Sequence, residues 1–188
     1  LENITPDGVE RIIRNPNVWY ERQLRVHLMT TPPSKEVSDR ILEIADNPQN
    51  TTTERLRALW TLFSTGNWTD ADSIRLLTEK EEHLRVWGIR FLSDRSGFNF
   101  AAFDPANGDP FKNLGDSSLS KDSSGLVKLA LASSLQRLPI QDRILGATEL
   151  AEDPTYAEDP QIPYMIWFGV LPAAKENPTS LIKLAEAA

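Results

Sequence analysis

The feature that most constrains this chain is a spacing. Apolar or small residues recur four apart in separate places: Tyr20, Leu24 and Leu28; Ala58 and Leu62 following Glu54; Leu84, Gly88 and Leu92; Val127, Leu131 and Leu135; Ile162, Ile166 and Val170. Positions i, i+4 and i+8 share one stripe of an α-helix, so each set predicts an amphipathic helix with one covered side. The first positions stand 34, 30, 43 and 35 residues apart. A step of roughly 35 residues belongs to helical repeat arrays. The position after the first reads Glu21, Arg55, Arg85, Lys128 and Pro163, and is basic in the three central copies.

Between these A segments lie shorter Leu- and Ile-rich B segments at 34–47, 69–80, 140–153 and 178–188. Ser34, Thr69 and Thr179 are placed to accept amide hydrogens of a first helical turn, and Pro33 and Pro178 mark points where the preceding chain leaves helical geometry. Pro, Gly and Asn punctuate the links "NPQN", "STGNW" and "DPTYAEDP". No useful length of chain alternates with the period of a strand. Ala58 and Gly88 at the middle of their stripes predict close helix approach, since glycine costs about 1 kcal/mol against alanine in a helix interior. One helix pair cannot bury both its faces, and stacked neighbours supply the cover. The expected fold is therefore all-α: an α–α superhelix of about four to five antiparallel helix pairs, spanning residues 1–188 as one domain.

Composition narrows the function classes. The chain has 40% hydrophobic and 25% charged residues, the balance of an ordinary folded domain. It has no cysteine, which removes disulfides, thiolate metal sites, iron–sulfur clusters, a thiol nucleophile and covalent haem attachment from this span. The net charge of −7, with acids scattered, opposes nucleic-acid binding, which needs a basic stripe to displace counterions. No apolar run reaches the roughly 18–20 residues of a bilayer crossing, so no direct membrane insertion is expected. The first residue is Leu1, and the spacing in "LIKLAEAA" reads as an unfinished helix, so the chain is expected to be an excerpt of a longer polypeptide.

The blocks "ERLRALWTL", "EEHLRVWGIRFLSD", "SSGLVKLALASSLQRLP" and "DPQIPYMIWFGVLP" resemble the HEAT-repeat region of large exported multidomain proteins of planctomycetes and verrucomicrobia. In that family a β-propeller of membrane-bound dehydrogenase type precedes the HEAT region, and a c-type cytochrome domain often follows. The resemblance runs from about Asn15 to the C-terminus. It implies a HEAT/armadillo-like solenoid inside a periplasmic or otherwise exported redox or carbohydrate-processing protein. It supplies no catalytic, haem or other cofactor residue, because neither the propeller nor a CxxCH motif lies in this span. Residues 96–122 depart from the pattern and lengthen the third step to 43.

That insertion is the main candidate site, because a loop on a regular array often carries binding function. Phe98, Phe100, Phe103 and Phe111, with Asp104, Asn107 and Asp109 between them, could form an aromatic, acidic partner surface, or simply pack the insertion onto the array. The D-x-x-N-G-D spacing is not an EF-hand ladder, and no metal is expected. Among the tryptophans, Trp60, Trp87 and Trp167 stand beside stripe positions and are expected in the core, whereas Trp68 at a loop end is expected exposed and is added to the partner surface. His27 and His83 form no close ligand pair, and neither a GxSxG elbow nor a glycine-rich phosphate loop is present, so no catalytic residue is assigned.

These features predict a non-catalytic scaffold that positions neighbouring domains or binds a protein. A HEAT-like nucleic-acid-binding protein of DNA glycosylase type is the alternative, and an enzyme completed by a domain outside this span is a third.

Overall fold

The computed structural model describes residues 4–94, 119–176 and 178–187. Within them the regular structure is helical and no strand occurs, as the spacing predicts. The chain packs as two compact units, 1–69 and 70–188.

In the first unit, α1 (Pro6–Ile13), α2 (Val18–Thr30), α3 (Lys35–Asp46) and α4 (Thr52–Ser64) are each opened by a polar cap. The Ser34 hydroxyl accepts from the Val37 amide at 3.4 Å, as expected. Thr51 and Glu54 form a reciprocal capping box, which satisfies two donors that a helix start leaves orphaned. This explains Glu54 at an otherwise apolar slot. α1 packs on α3 and α2 on α4, while α3 folds back most closely onto α4. The core they enclose includes Val9, Ile13, Leu24, Leu28, Ile41, Ile44, Ala58 and Leu62. Helix α1 was not anticipated, although Thr5 caps it through the Gly8 amide and Pro6 occupies its first turn.

The second unit runs through α5 (Asp70–Leu76), α6 (Glu82–Asp94), α7 (Gly125–Ser134), α8 (Ile140–Ala151), α9 (Ile162–Val170), α10 (Ala173–Glu176) and α11 (Pro178–Ala187), with short 3-10 turns at Leu119–Lys121, Leu135–Arg137 and Pro154–Tyr156. The A segments α6, α7 and α9 pack side by side in that order; α5 lies on α6, and α8 lies on α9 and α11. Three A helices pack on the B helix before them, in α3–α4, α5–α6 and α8–α9, while α7 packs directly on α6. Thr179 does not cap α11, because the helix already begins at Pro178, whose fixed φ suits a first position.

The stripe is the core apart from its first copy's leading residue: Tyr20 is 47% exposed, because α2 turns Leu24 and Leu28 inward instead. Leu84, Gly88, Leu92, Val127, Leu131, Leu135, Ile162 and Val170 are all buried, and Ile166 is half-buried. Two glycines set how closely the helices approach. A Cβ on Gly88 would stand 2.8 Å from the Ser73 carbonyl oxygen of α5, and one on Gly169 would stand 2.7 Å from Leu135 Cβ. Any side chain at either position would wedge the two segments apart.

Candidate functional site: a groove across three A helices

The charged position that follows each first stripe residue is structural. Arg55 is buried and donates through Nε to the Ala45 carbonyl at the end of α3, 2.7 Å away. Arg85 donates to the Glu79 carbonyl at 2.7 Å, just beyond α5, and pairs with Asp122 at 2.7 Å. Lys128 is buried and pairs with Asp153. A helix end leaves its last carbonyls without partners, and a long cationic side chain from the next helix reaches them while its stem packs in the core. Glu21 reverses the sign: it is buried against Arg25 at 2.8 Å, and loss of solvent pushes its carboxyl pKa up despite the attraction of Arg25, Arg57 and Arg22. These charges, buried or half-buried, hold helices together.

The surface that can meet a partner is elsewhere. Along α6, His83, Trp87, Arg90 and Asp94 follow one another at helical spacing and face the same groove as Leu126 and Ala130 of α7 and Tyr164 and Phe168 of α9. The groove encloses about 780 Å³. Its aromatic wall is open to solvent, with Tyr164 63% and Phe168 50% exposed. The Trp87 ring lies 5.4 Å from Phe91, and the Arg90 guanidinium stands 5.1 Å above the Trp87 centroid, a cation–π placement. At the end of α6, Asp94 pairs with Arg137 at 2.7 Å. Gly169 makes the groove possible by letting α9 settle against Leu135, and thereby carries Tyr164 and Phe168 alongside α7.

A second, apolar hollow of about 410 Å³ lies between α8, α9 and α11, with Ile166, Trp167, Leu181 and Leu184 in its wall and the Lys128–Asp153 pair at its edge. Trp167 is 51% exposed there. The sequence placed it in the core, but α9 is apolar all round, "IPYMIWFGV", and cannot turn every side toward α7 and α8.

Trp68 corrects in the opposite direction: it is 2% exposed, so the indole expected at an open loop end is part of the interior and offers no partner contact. Its large apolar area favours burial even in a link outside any helix. Trp60 and Trp87 are half-buried. Phe98, Phe100, Phe103, Asp104, Asn107, Asp109 and Phe111 lie outside the described residues. The end of the insertion is described: Leu119 and Ser120 are buried, and Asp122 accepts from Arg85. Tyr164, Phe168, Leu126 and Arg90 were missed as surface residues. For Tyr164 and Phe168 the signal was the excess of large apolar residues in "IPYMIWFGV" over what one stripe can bury.

Among the described residues no group of three or more His, Asp or Glu is placed to hold a metal ion, and no helix is long and apolar enough to cross a membrane. No protein-family model matches the chain, and no curated protein or solved structure matches it either.

Proposed function

We propose that this chain is a non-catalytic helical-repeat domain that holds a protein segment in the groove across α6, α7 and α9. The observation that carries this reading is the exposed aromatic wall. Large side chains on a helix surface cost solvation when nothing covers them, and contiguous exposed apolar patches mark interaction sites. Tyr164, Phe168 and Leu126 share one concave surface, and concave apolar sites with a few polar groups are where ligands are held. Repeat packing suits the role, since helices fixed by buried stripes present their outer residues on a rigid frame.

The buried cations Arg55 and Lys128 and the half-buried Arg85 are occupied in joining helices, which supports a structural rather than a catalytic use of the charged positions. The wider setting, a HEAT region within an exported redox protein, belongs to the same proposal and rests on the resemblance of the "SSGLVKLALASSLQRLP" and "DPQIPYMIWFGVLP" blocks. The net charge of −7 and the presence of Asp94 in the groove weigh against a phosphate-tracking surface.

Panning a displayed library of random twelve-residue peptides against the full 188-residue chain tests this. The expected result is a set of peptides whose binding is lost in the Tyr164→Ala/Phe168→Ala double variant. Recovery of no peptide, or only of peptides indifferent to that variant, would refute the groove as the binding surface.

A further inference from the structure

We infer that the segment held in this groove is acidic, with a carboxylate seated on Arg90 and an apolar or aromatic side chain lodged among Leu126, Tyr164 and Phe168; this rests on the binding reading above. The first support is the state of Arg90. Of the two arginines that line the groove, Arg137 is paired with the Asp94 carboxylate. Arg90 is exposed, and among the described residues no carboxylate or carbonyl accepts from it. Its guanidinium instead lies over Trp87. With its Cζ 5.1 Å from the indole centroid, the guanidinium is held near the groove by a cation–π contact while its N–H groups stay available, and a guanidinium can capture a carboxylate in bidentate fashion.

The second support is local charge. The chain carries 27 acids against 20 Lys and Arg, yet the groove lining holds Arg90 and Arg137 against the single carboxylate of Asp94, which Arg137 neutralises, so Arg90 leaves a local positive charge. A positive spot on an acidic protein selects its complement by attraction and excludes basic segments by comparison with the surrounding surface. The third is the wall itself. Leu126, Tyr164 and Phe168 supply apolar area beside the cation, so charge and apolar contact are offered within one concavity.

A nucleic acid would also find an aromatic ring and an arginine here. Tracking a strand, however, needs a row of cations along the groove. Among the described residues its lining holds only two arginines, Arg90 and Arg137, and Asp94 already accepts from Arg137 at its end.

The peptides recovered by panning the full chain decide the point. They are expected to be rich in Asp and Glu around a Phe, Trp, Leu or Ile. Synthetic fluorescein-labelled copies should bind roughly fivefold more weakly to Arg90→Glu and to Arg90→Gln, and more weakly still when NaCl is raised from about 0.05 to about 0.5 M, where the screening length falls to a few ångströms. Far-ultraviolet circular dichroism of both variants confirms the fold, since Arg90 is exposed.

Peptides lost in the Tyr164→Ala/Phe168→Ala variant but neutral or basic in sequence, and unaffected by Arg90→Glu, would overturn the acidic segment while leaving the groove as a binding site. No groove-dependent peptide at all would overturn both. A labelled twelve-nucleotide oligothymidylate that binds more tightly than the acidic peptides and is lost in Arg90→Glu would replace the peptide by a nucleic acid.

Discussion

Lys128 of α7 and Asp153, just beyond α8, form an ion pair in which the lysine side chain is 4% exposed and the aspartate 26%. The ammonium also lies 5.0 Å from the Tyr156 ring centroid. Hydrogen bonding from Lys128, together with Thr155, holds the Asp153 carboxyl well below the usual carboxylate range. Removing the acid strands a buried ammonium, whereas removing the lysine leaves a carboxylate with a route to water. Asp153→Asn is expected to destabilise the chain by about 2–4 kcal/mol in urea unfolding at neutral pH, and Lys128→Met by less. Because the folded pKa is depressed, the pair's contribution is present above the unfolded value near 3.9 and is lost as pH falls below it. Asp153→Asn should therefore flatten part of the acid-side loss of stability.

Glu21 has the opposite sign. Burial raises its carboxyl pKa, so the folded chain binds more protons there than the unfolded one. Its ionisation cost is absent below the ordinary glutamate range and grows as pH rises toward the raised value. Glu21→Gln removes this titration. The unfolding free energy of the parent minus that of the variant should decline as pH rises from about 4 to about 7; a difference that grows over that interval would show that the Arg25 pair outweighs burial.

Gly88→Ala is a test of close packing. On an open helix the change would be favourable by about 1 kcal/mol. Here the added Cβ meets the Ser73 carbonyl oxygen at 2.8 Å and Leu76 Cβ at 3.0 Å, neither of them the end of a flexible side chain. A net loss of about 1–3 kcal/mol is expected from chemical denaturation. A gain would mean that α5 moves away without penalty.

The tryptophans and the groove aromatics separate interior from surface. Trp68→Ala should cost about 3–5 kcal/mol, as for other buried large side chains. Tyr164→Ala and Phe168→Ala should each change the unfolding free energy by only about 0.5 kcal/mol, since both rings are half or more exposed. Thermal unfolding of the three variants side by side gives the ranking directly.

Helices and their stripes were legible in the sequence because they depend on residues three and four apart; close approach at Gly88 was read from its small size, whereas Gly169, which meets Leu135, was missed. Leu84, Gly88 and Leu92 share a face whatever lies opposite, and Ser34 caps α3 through a bond three residues long. The repeated step likewise follows from local periodicity. What was not legible is which outward side each neighbour covers. The basic position at Arg55, Arg85 and Lys128 was visible as a pattern, but its use was not, since the carbonyls and carboxylates that satisfy it come from other elements.

Trp68 and Trp167 show the same division most plainly. Position in a helix favoured burying Trp167, and position in a link favoured exposing Trp68; the fold does the reverse. The sequence by itself determined that this chain forms helices whose apolar residues recur at helical spacing, because backbone geometry sets that period. Only the tertiary structure decided which remaining apolar side chains become core and which, like Tyr164 and Phe168, are left lining an open groove, because exposure is set by the non-local helices packed against each residue.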